Sequence, residues 1–250
     1  MSARAREVIE SAEVIAGYTT YVALIEALIE GKEVIATAMK KEIDRVQAAV
    51  DAALSGKSCA IISSGDPGIY AMAGLVFEIC KEKSIPIVSP FKASCDADAL
   101  VLEVVPGIPA LASGASLLGA PLTHDFCCIS LSDLLTPWDL IEKRITHAAM
   151  ADFVIVIYNP KSKKRDWQLR KTMEIVLEHR SPETPVGIVR NAMRADQRVS
   201  VVALKDLADT EVDMLTTVFI GSSSSEAYLD FMYTPRGYAG KYDIQATRGV

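Results

Sequence analysis

The stretch Phe153-Val154-Ile155-Val156-Ile157-Tyr158-Asn159-Pro160-Lys161-Ser162 decides the fold. Its first six residues carry no charge, and four of them are β-branched. A continuous apolar run of this kind reads as a strand buried on both faces, as in the interior of an α/β sheet. Asn159-Pro160 then turns the chain, and a helix reads from Arg165 to His179. Downstream, strands read at 186–189, 199–203 and 218–220. Immediately upstream lie a strand at 126–131 and a helix at 137–148. The N-terminal half alternates in the same way. Ala5, Val8, Ile9 and Ala12 recur at helical spacing, and a strand follows at 14–16. Leu24 and Leu28 mark a second helix closed by Gly31, a strand reads at 33–36, and a third helix runs over 43–54 to Gly56. Strand 59–63, helix 69–80, strand 100–105 and a helix to about Leu118 complete it. Such alternation predicts an α/β chain with largely parallel sheets. The turn-forming cluster Gly119-Ala120-Pro121-Leu122-Thr123 predicts two α/β domains, 1–119 and 120–250. Ser222 to Ser225 reads as a helix-capping loop.

Composition excludes several classes. The 250 residues carry 26 Lys plus Arg against 32 Asp plus Glu, a net charge of -6 that argues against a nucleic-acid binder. Half the residues are hydrophobic, which fits a folded globular chain. The apolar stretch 99–122 contains Glu103, Pro106 and Pro109 and reads as strand, loop and helix rather than a membrane span. Arg4, Arg6, Glu7 and Glu10 interrupt any signal-peptide core, so the expected location is the cytoplasm. Five cysteines (59, 80, 95, 127 and 128) and three scattered histidines (124, 147 and 179) lack metal-ligand spacing, so free thiols and no metal site are expected.

No G-x-G-x-x-G, P-loop or G-x-S-x-G pattern is present. The candidate chemistry lies in loops after strands, where α/β sheets bind ligands. In Ser63-Ser64-Gly65-Asp66-Pro67-Gly68-Ile69-Tyr70, two glycines permit close backbone approach and Asp66 offers a carboxylate, though a turn with a helix cap at Asp66 explains it equally well. Val105-Pro106-Gly107-Ile108-Pro109-Ala110 has a structural account as a strand-to-helix turn. Tyr158-Asn159-Pro160-Lys161-Ser162 can hold a small polar ligand or simply turn. Val189-Arg190-Asn191-Ala192-Met193-Arg194, alone, favours a solvated hairpin or loop. Ser130-Leu131-Ser132-Asp133-Leu134-Leu135-Thr136-Pro137-Trp138 joins a strand to a helix, with Thr136 and Pro137 as N-cap and first helical residue. His124-Asp125 is an acid/base pair or a structural one, and Thr234-Pro235-Arg236-Gly237-Tyr238 reads as a frayed tail. Residue types and spacing stop here, short of naming a reaction.

Together the loops resemble one family. Ser64-Gly65-Asp66-Pro67-Gly68-Ile69-Tyr70, Val105-Pro106-Gly107-Ile108-Pro109-Ala110 and Leu118-Gly119-Ala120-Pro121-Leu122 occur in this order in the tetrapyrrole methylases. The stretches at 124–138, 158–160, 185–190 and 234–238 look like the branch that methylates C-17 of precorrin-3B, or of its cobalt-containing counterpart cobalt-factor III, in cobalamin synthesis. The resemblance implies S-adenosylmethionine as methyl donor, leaving as S-adenosylhomocysteine, a tetrapyrrole substrate and a homodimer. It implies a cofactor cleft between the domains, lined by Gly65, Asp66, Ile69 and Tyr70, by Pro109 and Ala110, and by Tyr158, Asn159, Asn191, Ala192, Thr216 and Thr217. Ring contraction accompanies methylation in this branch and calls for proton transfers, with Asp133, His124 and Arg236 as candidates. Arg236, Lys161 and Arg190 are candidates to pair with the substrate's carboxylates. Relatives begin with a strand and a G-x-G-P-G-D-type loop ahead of the helix that opens here at about Ser2. This chain as written shows neither, so a missing first strand and an upstream start are expected. Another tetrapyrrole methylase specificity, the diphthine-forming relative, or a truncated tetrapyrrole-binding remnant without activity are the alternatives.

Overall fold

The computed structural model describes residues 1–92 and 98–244. Cys95, read above as a free thiol, lies outside them. The chain forms two compact units, Met1–Pro109 and Ala110–Val250.

The first unit contains α1 (Ala3–Ser11), β1 (Val14–Tyr18), α2 (Thr19–Ala23), β2 (Glu33–Thr37), α3 (Glu42–Leu54), β3 (Cys59–Ile62), α4 (Ala73–Glu82), β4 (Ile87–Val88) and β5 (Leu100–Val101). Helix α1 starts where the Ser2 hydroxyl accepts the Ala5 N–H, as an N-cap should. Its Ile9 and the Ala12 that caps its C-terminus pack with Ile15, Ala60 and Ile62. On the opposite face, Val46 and Val50 of α3 meet Val76, Ile79 and Cys80 of α4, with Ile61 against them. The alternation Ala60, Ile61, Ile62 therefore feeds two separate cores, as the period of two in a strand requires. The parallel sheet has the order β2-β1-β3, so β3 is an edge. A cavity of about 370 Å³ runs along that edge. It is bordered by residues 59–65, by Ala5, Val8 and Ile9 of α1, and by Leu102, Val104 and Ile108.

Three expectations change here. The second helix is split into α2 and a 3-10 turn, Glu26–Leu28, because Ile25 leaves helical geometry at φ -123°. Helix α4 starts at Ala73 because Tyr70 holds the left-handed conformation at φ 51°. Strand 100–105 pairs only over Leu100–Val101, since the residues beyond them border the cavity rather than a neighbouring strand.

The second unit contains α5 (Ala110–Leu118), β6 (Gly119–Ala120), β7 (Phe126–Ser130), α6 (Trp138–Met150), β8 (Val154–Tyr158), α7 (Gln168–Leu177), β9 (Pro185–Arg190), β10 (Arg198–Ala203), β11 (Thr216–Ile220), β12 (Glu226–Tyr228), β13 (Phe231–Tyr233) and α8 (Tyr238–Lys241). Its main sheet runs β10-β9-β11-β8-β7. The run 154–157 is fully buried, as its composition predicts. The sheet is mixed rather than largely parallel, because β11 runs antiparallel to both β8 and β9, and β10 antiparallel to β9. The division falls after Pro109 rather than at 119/120. Helix α5 packs onto the second unit's sheet through two close approaches. A Cβ on Gly114 would lie 2.7 Å from the Phe219 ring, and one on Gly187 would lie 2.3 Å from Leu118 Cδ1. Those glycines are the sockets for Phe219 and Leu118, both wholly buried.

Two other readings are revised. Ser222 to Ser225 caps no helix. The Ser225 and Thr234 hydroxyls lie 2.7 Å apart, and Thr234 donates to the Pro121 carbonyl. Thr234 is thus buried and anchored rather than part of a frayed tail. Helix α6 starts at Trp138 with Pro137 itself as N-cap, one residue later than expected.

Candidate functional site

In the first unit two of the singled-out loops meet. Asp66 accepts the Gly68 N–H on Oδ1 at 2.8 Å and the Gly107 N–H on Oδ2 at 3.0 Å. A Cβ on Gly107 would sit 1.8 Å from the Gly65 carbonyl oxygen, so only glycine permits this approach. Both carboxylate oxygens are thereby engaged, Oδ1 within its own turn and Oδ2 in holding loop to loop, and what this loop offers a ligand is backbone. Gly65 lies at φ 79° and Tyr70 at φ 51°. Ser63, at the end of β3, lines the cavity, and its buried hydroxyl has no hydrogen-bond partner. Pro109 closes the first unit and Ala110 opens α5.

In the second unit the pairing gathers four segments at one end of the sheet. β7 and β8 are parallel with Ser130 opposite Tyr158, and Thr216 of antiparallel β11 lies opposite Arg190 at the end of β9. Ser130–Asp133, Tyr158–Asn159, Arg190–Ala192 and Thr216–Thr217 therefore share the edge where such sheets bind ligands. The Tyr158 hydroxyl accepts the Leu111 N–H at 2.8 Å, in the first turn of α5. Asn159 and Asn191 both sit in the left-handed region, at φ 52° and 50°, which asparagine tolerates. Asn159 donates from Nδ2 to Ser130 Oγ at 2.9 Å, and Asn191 from Nδ2 to Asp196 Oδ2 at 2.6 Å. Thr216 donates to Asp213 Oδ1, Thr217 is buried, and Ala192 packs against the core that contains Phe219.

Arg190 does not offer a free cation. Its guanidinium binds Asp213 at 2.9 Å and Asp196 at 3.1 Å, and these carboxylates hold its pKa above the ordinary arginine value. In return, although burial opposes it, bonds from Arg190, the Leu215 N–H and Thr216 hold Asp213 below the usual carboxylate range. Lys161 is half-buried just past β8.

The three acid/base candidates are not brought together. Asp133 follows the end of β7, exposed, with one oxygen receiving the Gln168 side-chain amide at 2.9 Å. His124 precedes the start of β7, exposed, with its Nδ1 accepting the Asp125 N–H. Arg236 donates to the Thr123 carbonyl at that same end. A five-residue strand spans roughly 16 Å, so His124 and Arg236 stand apart from Asp133. Burial pushes the Cys59, Cys127 and Cys128 thiols up to about 11, with Glu33 adding to the effect at Cys59 and Cys127 at Cys128, so they are protonated at neutral pH.

Sequence reasoning missed Arg165 and Gln168. Both are buried and hold the site's loops from beneath. Arg165 closes the run Lys163-Lys164-Arg165, which in sequence is indistinguishable from a solvated basic patch. Only the tight turn that pairs Ser162 with Arg165 directs its side chain inward.

Residues 1–208 match the family model for tetrapyrrole (corrin/porphyrin) methylases. The chain is 51% identical over 244 residues to the cobalt-factor III methyltransferase of Priestia megaterium, which covers 98% of this chain and 44% of that protein. It is 43% identical over 238 residues to a probable cobalt-factor III C(17)-methyltransferase of Salmonella typhimurium, covering 95% of this chain and 93% of that one. Among solved structures, the methyltransferase CobJ superposes with a TM-score of 0.84 at 35% identity, over 94% of this chain and 93% of that chain. This chain, from its opening helix through the mixed sheet that carries the asparagine turns, belongs to the tetrapyrrole methylase family.

Proposed function

We propose that this chain is an S-adenosylmethionine-dependent C-methyltransferase that methylates C-17 of cobalt-factor III, with contraction of the macrocycle, in cobalamin biosynthesis. The observation that carries this reading is the convergence of Ser130–Asp133, Tyr158–Asn159, Asn191–Ala192 and Thr216–Thr217 on one sheet edge in a chain so similar to cobalt-factor III methyltransferases. Identity along nearly the whole chain supports it over a non-catalytic remnant or another position specificity. The relatives' names favour the cobalt-bearing macrocycle over metal-free precorrin-3B. No described helix is long and apolar enough to cross a membrane, and a cytoplasmic homodimer completes the reading.

The residues present fit the cofactor. The lone buried hydroxyl of Ser63, the backbone of the Gly65 loop and the left-handed Asn159 and Asn191 turns are the groups that recognise a nucleoside and an amino-acid tail. By the family resemblance, Gly65, Ile69 and Tyr70 are the first unit's own cofactor candidates, with Asp66 fixing their loop. Asn159, Ala192 and Thr217 are the second unit's own candidates, backed by Tyr158, Asn191 and Thr216. When bound, S-adenosylmethionine supplies an electrophilic methyl group. The protein's part is alignment, which alone lowers such a barrier substantially. Asp133, exposed and oriented by Gln168, is the acid/base candidate at the same sheet edge. Lys161, just past β8, is a candidate cation there for a propionate or acetate side chain, Arg190 being already neutralised. His124 and Arg236 belong to a separate position, at the start of β7.

The test is calorimetric titration with S-adenosylhomocysteine, followed by turnover with cobalt-factor III and with precorrin-3B, read as gain of one methyl group by mass. Micromolar binding and methylation of the cobalt form are expected. Methylation of neither macrocycle by a chain that binds the cofactor product would sink the substrate reading.

A further inference from the structure

Arg165 is a buried cation, 7% exposed, in the loop between β8 and α7. Its Nη1 donates to the Leu131 carbonyl at 3.3 Å, immediately past β7. Its Nη2 donates to the Asn159 carbonyl at 2.9 Å, immediately past β8, and touches Met214 Sδ at 3.4 Å. One planar guanidinium thus joins the ends of two adjacent strands. Asn159 is the left-handed residue at that point, and its side chain in turn holds Ser130. The Arg165 backbone and Ser162 exchange hydrogen bonds at 2.8 and 3.3 Å, which locks the turn that aims the side chain inward. Gln168, three residues on at the start of α7, steadies Asp133. A buried cation with a buried, unpartnered Nε is costly for folding alone. Against that cost stand the two strand-end carbonyls that the guanidinium joins.

We propose that Arg165 is a positioning residue for methyl transfer. It holds the Asn159 turn against the end of β7, and thereby sets the presentation of Asn159 to the cofactor. This rests on the assignment of Asn159 to the cofactor site. A lysine carries the charge but lacks the planar fork that reaches two carbonyls at once.

The experiment is a double-mutant cycle read by calorimetry with S-adenosylhomocysteine, on the full chain. Arg165→Lys, Arg165→Met and Asn159→Ala are each expected to weaken binding about tenfold or more, the scale of one charged hydrogen bond. The pairs Arg165→Lys/Asn159→Ala and Arg165→Met/Asn159→Ala are expected to bind within about twofold of Asn159→Ala, because the two residues act through one another. In turnover, KM for S-adenosylmethionine rises while KM for the tetrapyrrole holds. Losses that add in the cycle, or Arg165 variants that bind as the unsubstituted chain does, would overturn the proposal. Should Arg165→Met fail to fold, the lysine cycle decides. Absence of binding by the unsubstituted chain would overturn the cofactor reading first, and this proposal with it. Binding by that chain with additive losses would overturn this proposal alone.

Discussion

The two sheets solve the same problem to different degrees. In the second unit, β8 and β11 are flanked on both sides by paired strands, and residues 154–157 and 216–220 are buried throughout. In the first, β1 alone among the described strands is so enclosed. β2 is largely exposed, and β3 has a ladder on one side and a cavity on the other. The site loops differ in the same sense. The second unit's loops are held from below by side chains, Arg165 and Gln168, rooted in a closed core. The first unit's loops are held to each other by one carboxylate and one glycine contact at the surface. A ligand loop keeps its shape either by burying its supports or by forbidding a side chain where two backbones touch, and this chain does one in each unit.

Truncation of a core residue separates the two units most sharply. Phe219→Ala empties the socket formed by Gly114 and is expected to cost about 3–5 kcal/mol in denaturant unfolding. Ile61→Ala, half-buried beside the cavity, is expected to cost under about 2 kcal/mol. Equal losses would mean that the cavity edge is as tightly packed as the mixed sheet. Next in size is Gly107→Ala, whose methyl would overlap the Gly65 carbonyl. An overpacking cost of about 1–3 kcal/mol is expected, together with weaker S-adenosylhomocysteine binding in calorimetry. Asp66→Asn keeps one acceptor of two and is expected to cost about 1 kcal/mol, with a smaller loss of binding. If Asp66→Asn proved the more damaging of these two, the carboxylate rather than the close approach would be the main fastening.

The smallest effect is a pH dependence at the Arg190 cluster of the second unit. Asp213 and Asp196 titrate below their ordinary values because Arg190 binds both. A depressed carboxylate pKa in the folded state stabilises above the unfolded value. That stability is lost as pH falls through the folded value. Comparison of Tm for the unsubstituted chain and Asp213→Asn should therefore show a gap at pH 7 that closes as the pH drops below about 4, the ordinary aspartate value. No gap at pH 7, or a gap that does not shrink at all as the pH falls through the acid range, would show that the Arg190 ion pair does not stabilise the fold.

Much of this molecule is legible in linear order because local rules govern it. The run 154–157 needed only its composition to be read as a buried strand, and Gly56 as the close of the third helix followed from backbone geometry. The turn at 63–68 and the asparagines at 159 and 191 were likewise visible as loops after strands. Partnership was not legible. Nothing near Asp66 tells that its second oxygen will meet Gly107, forty-one residues away. The short ladders β4/β5, β6/β13 and β12/β13 have too few residues to show a period.

By itself, the sequence determined the α/β alternation, the succession of loops that marks the family, and the residue types at each strand end. These follow from periodicity, turn chemistry and short-range sterics, which act over a few residues. Only the tertiary structure decided that α5 belongs to the second sheet and that Arg190 is already neutralised. It alone set His124 and Arg236 apart from Asp133, and turned one arginine of a basic run inward to brace the asparagine turn. Those outcomes depend on which distant groups meet in a low-dielectric interior, where a single unmatched charge or an extra methyl decides between arrangements that look alike along the chain.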